Sequence, residues 1–333
     1  MKRLSGITAI VLGLLLWIAI PIGSQAQGRY PLRFAWNAVN GGYGPVWLLK
    51  DGKFLEKNGI DVEFTFIEGD QKSIQALVGG SMDIVTLSGA ALINANLAGA
   101  DSVSVAGHVN TMPYSFVTTA EVKEPKDLKG KKAGVSSFGS TSDTAVRFAL
   151  QRLGLTPEKD VAVIVIGGES TRFAAMKAGG IQGTVISPPW TLTARKLGYN
   201  LLADLSALGL EYPHSLIASR KSFIKEKPEV VRAFVRAWVE SIAYFKQNPT
   251  QGVEILGKYM KLNDAEALRE SYEGFVKLIP NKPYITEKAF QTLLDLIAGK
   301  NPKAAAAKPE QFMDLSFVRE IDRSGAIDKL YGR

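Results

Sequence analysis

Between Gly134 and Thr141 the chain reads GVSSFGST, an apolar run that passes through a glycine- and hydroxyl-rich turn into the helical pattern DTAVRFALQRLG. The spacing G-x-x-x-x-G-S-T departs at one place from the phosphate-binding loop G-x-x-x-x-G-K-[ST], with Ser140 where a lysine would meet phosphate. The hydroxyls of Ser140, Thr141 and Ser142 sit where a helix presents free N–H groups and the positive end of its dipole. That combination suits an anion that must be released as well as held. It equally suits ordinary helix capping, so this turn alone does not choose between the two.

Other turns have the same composition. Asn37–Gly44 (NAVNGGYG), Ser88-Gly89-Ala90 and Ser187-Pro188-Pro189 each place small residues, hydroxyls or glycines just before a helical pattern. Glycine lets backbone N–H groups approach a ligand with no Cβ in the way, and Ser187-Pro188 reads as an N-cap with proline at the first helical position. Candidate contact positions are therefore Asn37, Gly42, Tyr43, Gly44, Ser88, Gly89, Ser137, Gly139, Ser140, Thr141, Ser187, Pro188 and Trp190. Trp36, Tyr43, Phe138 and Trp190 adjoin the turns and either wall an organic solute or pack against their own surroundings. The two histidines, His108 and His214, are either cleft residues or satisfied structural ones. Arg172 either pairs with an anion or lies on a solvated helix face, the second being the simpler reading. Asp143, in the first turn of its helix, complements the dipole.

Enzyme signatures are missing. There is no H-E-x-x-H, no G-x-S-x-G and no cysteine, so thiol nucleophiles, disulfides and Cys-ligated metals are excluded, and no metal or cofactor is expected.

The elements that must position these turns repeat. Laying Arg33–Val103 over Lys132–Leu202, a displacement of 99 positions, puts Val62 on Val161, Ile67 on Ile166, Gly69 on Gly168 and Gly80 on Gly179. It also puts Ser88 on Ser187 and the Asn37 turn on Ser136–Asp143. Both copies run strand, turn, helix in the same order. The strands are LRFAWN, DVEFTFI, DIVTLS and SVSVAG in the first, and KKAGVS, DVAVIVI, GTVIS and LLADL in the second. Alternating β and α units imply an α/β protein of two similar lobes, each a mainly parallel sheet flanked by helices. In such sheets ligands sit at the carboxyl ends of the strands, where these turns fall.

About 130 residues follow the second copy. PEVVRAFVRAWVESIAYFKQN carries an apolar stripe through Val231, Phe234, Val235, Trp238 and Ile242 that reads as core. KNPKAAAAKPE reads as a polar connection before a last helix near Gln311–Arg323. The chain is expected to cross between lobes near Pro113–Thr119 and Pro213–Ser219, giving residues 27–115 with 214–333 as one lobe and 116–213 as the other.

The start of the chain is of another kind. Met1-Lys2-Arg3, the apolar run Ile7–Ile20 and the small residues Ser24 and Ala26 read as an export signal cleaved near Ala26, against the alternative of a retained anchor. The apolar run is short for a membrane span of about 20 residues. Without cysteine there is no lipid tether, so the expected location is the periplasm. The net charge of +8 becomes +6 when Lys2 and Arg3 leave, and no arginine-rich run interleaved with aromatics points to nucleic acid.

Asp127–Asp143 (DLKGKKAGVSSFGSTSD), Arg172–Pro189 (RFAAMKAGGIQGTVISPP) and Ala76–Ala90 (ALVGGSMDIVTLSGA) together resemble solute-binding proteins of ABC importers. The group is the nitrate/sulfonate/taurine type (SsuA/THI5-like, NMT1-like), with its thiamine-precursor relatives. The resemblance implies a type II periplasmic-binding fold with two crossover hinge strands, which closes on a small, in this group often anionic, solute. It further implies a monomer that delivers this ligand to an inner-membrane permease with a cytoplasmic ATPase. By motif, Ser88, Ser137, Gly139, Ser140, Thr141 and Ser187 look like ligand-facing positions, with Gly42–Gly44 as a fourth wall. Gln182 stands where the group's A-G-x-I-D pattern has an acid, which the first copy keeps as Asp83. Enzymes of the same fold, and ligand-sensing receptor subunits, are the alternatives.

Overall fold

Short β-branched runs bounded by glycine turns form strands wherever the repeat places them. The computed structural model describes residues 29–299 and 301–333, so the segment read as an export signal lies outside the described residues. Ten strands are described: β1 (Tyr30–Trp36), β2 (Ile60–Phe66), β3 (Ile84–Leu87), β4 (Ser102–Val109), β5 (Ser115–Thr118), β6 (Lys132–Val135), β7 (Ala162–Val165), β8 (Gly183–Ile186), β9 (Asn200–Asp204) and β10 (Ser215–Arg220).

They build two five-stranded sheets with one plan, ordered β2-β1-β3-β10-β4 and β7-β6-β8-β5-β9. β1 pairs in parallel with β2 and β3, as β6 does with β7 and β8. One strand in each sheet runs the other way: β10 between β3 and β4, β5 between β8 and β9. These two are the crossover strands, so each sheet is mixed, with four strands in one direction and the crossover strand opposed.

The apolar stripe of the helix Pro228–Gln247 is core: Val231, Phe234, Val235, Trp238 and Ile242 are fully buried, and the Trp238 indole donates to Gly107 O at 3.0 Å. Together with Phe34, Trp47 and Leu49 this helix closes one face of the first sheet. A second apolar cluster runs from one sheet to the other, joining Leu87 and Leu92 to Phe116, Val146 and Leu150, with Phe290 and Leu293 of the helix Glu287–Ala298 covering it. The tail departs from the sequence reading. KNPKAAAAKPE is partly helical (Pro302–Ala306), because Asn301 caps it, Pro302 suits its first position and alanine favours helix. The following α-helix begins at Ser316 instead of near Gln311, and another, Ala326–Leu330, ends the fold. No helix among the described residues is long and apolar enough to cross a membrane.

Candidate functional site

The carboxyl ends of β1 and β3 face those of β6 and β8, and the turns beyond them are in direct contact. Asn37 is held at the end of β1 by a closed set of bonds. Its backbone N–H donates to Thr86 Oγ1 at 3.1 Å, while its Oδ1 accepts from the Thr86 hydroxyl at 2.7 Å and from the Tyr43 hydroxyl at 2.6 Å. Its amide donates to Asp70 Oδ1 at 2.7 Å. Asp70 opens the helix Asp70–Val78, and it also accepts from the Ser88 backbone N–H at 3.0 Å and the Ser88 hydroxyl at 2.8 Å. Ser88 Oγ in turn accepts from Ala91 N at 3.2 Å and so caps the helix Gly89–Leu97.

The second copy repeats this chemistry with a longer side chain. Glu169 opens the helix Glu169–Lys177 and accepts from both the backbone N–H and the hydroxyl of Ser187 at 2.8 Å. Its other oxygen accepts from the Asn40 amide across the seam at 3.3 Å. A displacement of 99 carries Asp70 onto Glu169 as it carries Ser88 onto Ser187. Sequence reasoning missed both acids, although the repeat held the signal, Gly69-Asp70 over Gly168-Glu169. With its hydroxyl drawn to Glu169, Ser187 is not the N-cap expected of it, and the helix begins only at Trp190.

In GVSSFGST the hydroxyls are bonded mostly to one another. Ser140 caps the helix Thr141–Arg152 by accepting from Asp143 N, while Asp143 accepts from Gly139 N at 3.0 Å, a reciprocal cap. Asp143 does more than complement the dipole, since Arg147 donates to it at 2.6 Å. Ser140 Oγ donates to Ser137 O and Ser142 Oγ accepts from Ser136 N. Thr141 Oγ1 reaches across to His214 O at 3.2 Å. Gly139 has φ +76, a backbone position that favours glycine. Ser137 Oγ is buried without a partner.

Several predicted positions fill space. A Cβ on Gly44 would meet the Phe245 ring, one on Gly89 would meet Pro213, and one on Gly42 would meet the Phe275 ring, so these glycines allow close packing. Trp36 packs with Phe64, Phe66 and Tyr259 within the first lobe, and Trp190 packs against Phe173 in the second. Pro188 O accepts from the Ser271 hydroxyl across the seam at 3.2 Å. His108 is fully buried between Gly42 O at 2.7 Å and the Ser215 hydroxyl at 2.9 Å, and burial pushes its pKa down to about 4. The neutral ring donates from Nε2 to the carbonyl and accepts at Nδ1. His214 stands edge-on to Tyr114 at 5.1 Å, its Nδ1 buried without a partner and its pKa pushed to about 3, mainly by burial.

Arg172 corrects the sequence reading most sharply. It is 1% exposed, not on a solvated face, and its guanidinium donates to Thr184 Oγ1, Gly167 O and Val185 O at 2.8–3.0 Å. Burial lowers its pKa, and the Glu169 charge opposes that shift. Burial likewise raises the carboxyl of Asp70, which Ser88, the Thr141 backbone and Asn37 partly offset. Tyr43 and Tyr114 are raised mainly by burial, with Asp70 and Glu169 adding to the rise of each. Among the described residues no group of His, Asp and Glu could hold a metal ion.

Around this centre the lobes are clamped. Arg195 donates to both oxygens of Glu270, Lys196 pairs with Glu266 at 2.7 Å, and Gly168 N donates to Glu68 at 3.3 Å.

The chain is similar to a protein of Brucella abortus (strain 2308) recorded as a candidate binding protein, at 27% identity over 73% of this chain and 76% of that one. It is 25% identical to the taurine-binding periplasmic protein of Escherichia coli (strain K12), over 60% of this chain and 62% of that one. Among solved structures it superposes on the alkanesulfonate-binding protein SsuA of Xanthomonas axonopodis pv. citri, with a TM-score of 0.67, 19% identity, and coverage of 82% and 94% of the two chains. The NMT1/THI5-like family model matches residues 43–252, well over half of the chain. On that match, and with the two-sheet fold to support it, the chain belongs to the NMT1/THI5-like family.

Proposed function

We propose that this protein is the periplasmic solute-binding component of an ABC importer, which captures a small solute between two lobes and hands it to a membrane permease. The observation that carries the reading is the pairing of Ser88 with Ser187, each at a strand end of its own sheet and each bound to a helix-opening acid. The two sheets are joined by crossover strands. In this reading residues 27–115 with 214–333 form one lobe and 116–213 the other, hinged at the segments leading into β5 and β10. Solute binding shifts the population towards the closed form, which the permease recognises. The protein itself catalyses nothing; ATP is hydrolysed at the permease's cytoplasmic partner. Sulfonates and taurine, named for similar proteins, are the first solutes to try.

The test is a thermal-shift screen of the chain without its first 26 residues against sulfonates, taurine, nitrate, carboxylates, aromatic acids and pyrimidines. A solute at a hundred times its dissociation constant stabilises by about 2.7 kcal/mol, a readily visible shift. A stabilising compound recovered unchanged supports the reading. A compound that is consumed overturns it in favour of an enzyme.

A further inference from the structure

We infer that the helix Ala265–Leu278 is a salt-sensitive latch that holds the two lobes together before any solute arrives. This rests on the reading of two lobes that open and close, and it names the element that sets their resting position. The helix is rooted in the first lobe. Leu268, Tyr272 and Phe275 are buried in the cluster that contains Trp47 and Phe245, and the Tyr272 hydroxyl donates to Phe245 O at 2.8 Å. Another stripe of the same helix, Glu266, Glu270 and Gly274, is spaced by four positions and faces the other lobe. Glu266 pairs with Lys196 at 2.7 Å. Glu270 takes Arg195 Nη2 on both oxygens, at 2.8 and 2.9 Å, and the Thr191 hydroxyl at 3.2 Å. A Cβ on Gly274 would lie 3.4 Å from Pro188 Cγ, so the bare glycine lets the helix close on the Pro188 turn.

The far side of the latch is one short helix, Trp190–Lys196, together with the turn that leads into it. That turn begins at Ser187, so the latch grips the element that presents Ser187 to the cleft. At the contact, charge is segregated by lobe. The first lobe supplies the acids Glu266 and Glu270, with Asp264 at 3.7 Å from Lys196, and the second supplies the cations Arg195 and Lys196. These bonds join protein groups to one another, so they form without a solute. The Arg195 and Lys196 side chains are about half exposed, which leaves the pairs open to screening. One such pair contributes little, and the strength lies in three donors converging on neighbouring acids of one helix. A site held closed in this way binds with an apparent affinity that scales with the closed fraction.

The test is small-angle X-ray scattering of the solute-free chain without its first 26 residues. It is run in sodium chloride at about 10 mM and about 1 M, which shortens the Debye length from about 30 Å to about 3 Å. A compact particle is expected at low salt and a larger radius of gyration at high salt. Arg195→Glu and Glu270→Arg are each expected to give the larger radius at low salt, lowering the ratio of closed to open form about tenfold. The exchanged pair is expected to restore compactness, a rescue that a merely structural role would not give. Gly274→Leu, which wedges the helix from Pro188, is expected to open the lobes at either salt. Should a charge reversal fail to fold, the near-isosteric pair Glu266→Gln with Glu270→Gln repeats the measurement. A radius that ignores both salt and the charge variants, or an unaltered chain already extended at low salt, overturns the latch. The solute-binding reading stands or falls separately, on the thermal-shift panel.

Discussion

The two lobes answer one architectural need with different side chains. At the strand entry, Asp83 takes both the backbone N–H and the guanidinium of Arg33 and lies 3.6 Å from Arg220, whereas its counterpart Gln182 accepts only from Lys132 N at 3.3 Å. At the helix that follows β2 or β7, Ser73 donates to Ile67 O, where Arg172 donates to Gly167 O and to two further acceptors. At the turn, the short Asp70 takes three bonds from its own lobe and one from the Thr141 backbone of the other, while the longer Glu169 takes two from Ser187 of its own lobe and reaches across to Asn40. Backbone plan is shared and polar satisfaction is local.

The largest way to break this contrast is Asp70→Ala. It strands the Ser88 N–H, the Ser88 hydroxyl and the Asn37 amide, and we expect a loss of about 3–4 kcal/mol in urea unfolding. Glu169→Ala, in a half-buried site, is expected to cost less than half of that; equal costs would erase the distinction. Next comes pH. His108 is neutral when folded, with a pKa near 4, while the unfolded ring protonates below about pH 6.5. Stability therefore falls as pH drops from about 6.5 to about 4, by about 3 kcal/mol from this group. His108→Gln is expected to flatten that limb in denaturation curves run at several pH values, and an unchanged slope would remove His108 as its cause. Arg172→Met leaves three buried acceptors unpaired and is expected to cost about 2–3 kcal/mol, against about 1 kcal/mol for Ser73→Ala. The smallest effect is Gln182→Asp, which restores the acid of the first lobe beside exposed Lys132. Its melting temperature should move by no more than about 0.5 kcal/mol allows, and a larger gain would show that the strand entry matters more than its exposure indicates.

Much of the frame was readable because it rests on periodicity. The eight repeat strands and both crossover segments lie where apolar alternation and turns put them, and β3 and β8 are displaced by the full 99 positions. The Pro228 helix was visible as a stripe. What could not be read was which polar groups find each other. Nothing adjacent to Ser187 shows that an acid 18 positions earlier takes its hydroxyl, and nothing near Arg172 shows that the β6 and β8 strands surround it. The alanine-rich connection misled because a polar, proline-bounded segment reads as a loop until its cap is seen.

The placement of β10 between β3 and β4 has a consequence for the order in which the chain matures. Strands β5 to β9 form a sheet from one uninterrupted stretch, residues 115–204, complete before residue 215 leaves the ribosome or the export channel. The other sheet begins first and finishes last, since β3 and β4 have no shared edge until residues 215–220 arrive to bridge them. A chain ended at Pro213 is thus expected to keep a protease-resistant fragment around residues 115–204 and to lose its amino-terminal part to digestion. The later lobe would assemble upon a finished neighbour, with which it shares the apolar cluster that joins Leu87 and Leu92 to Phe116, Val146 and Leu150.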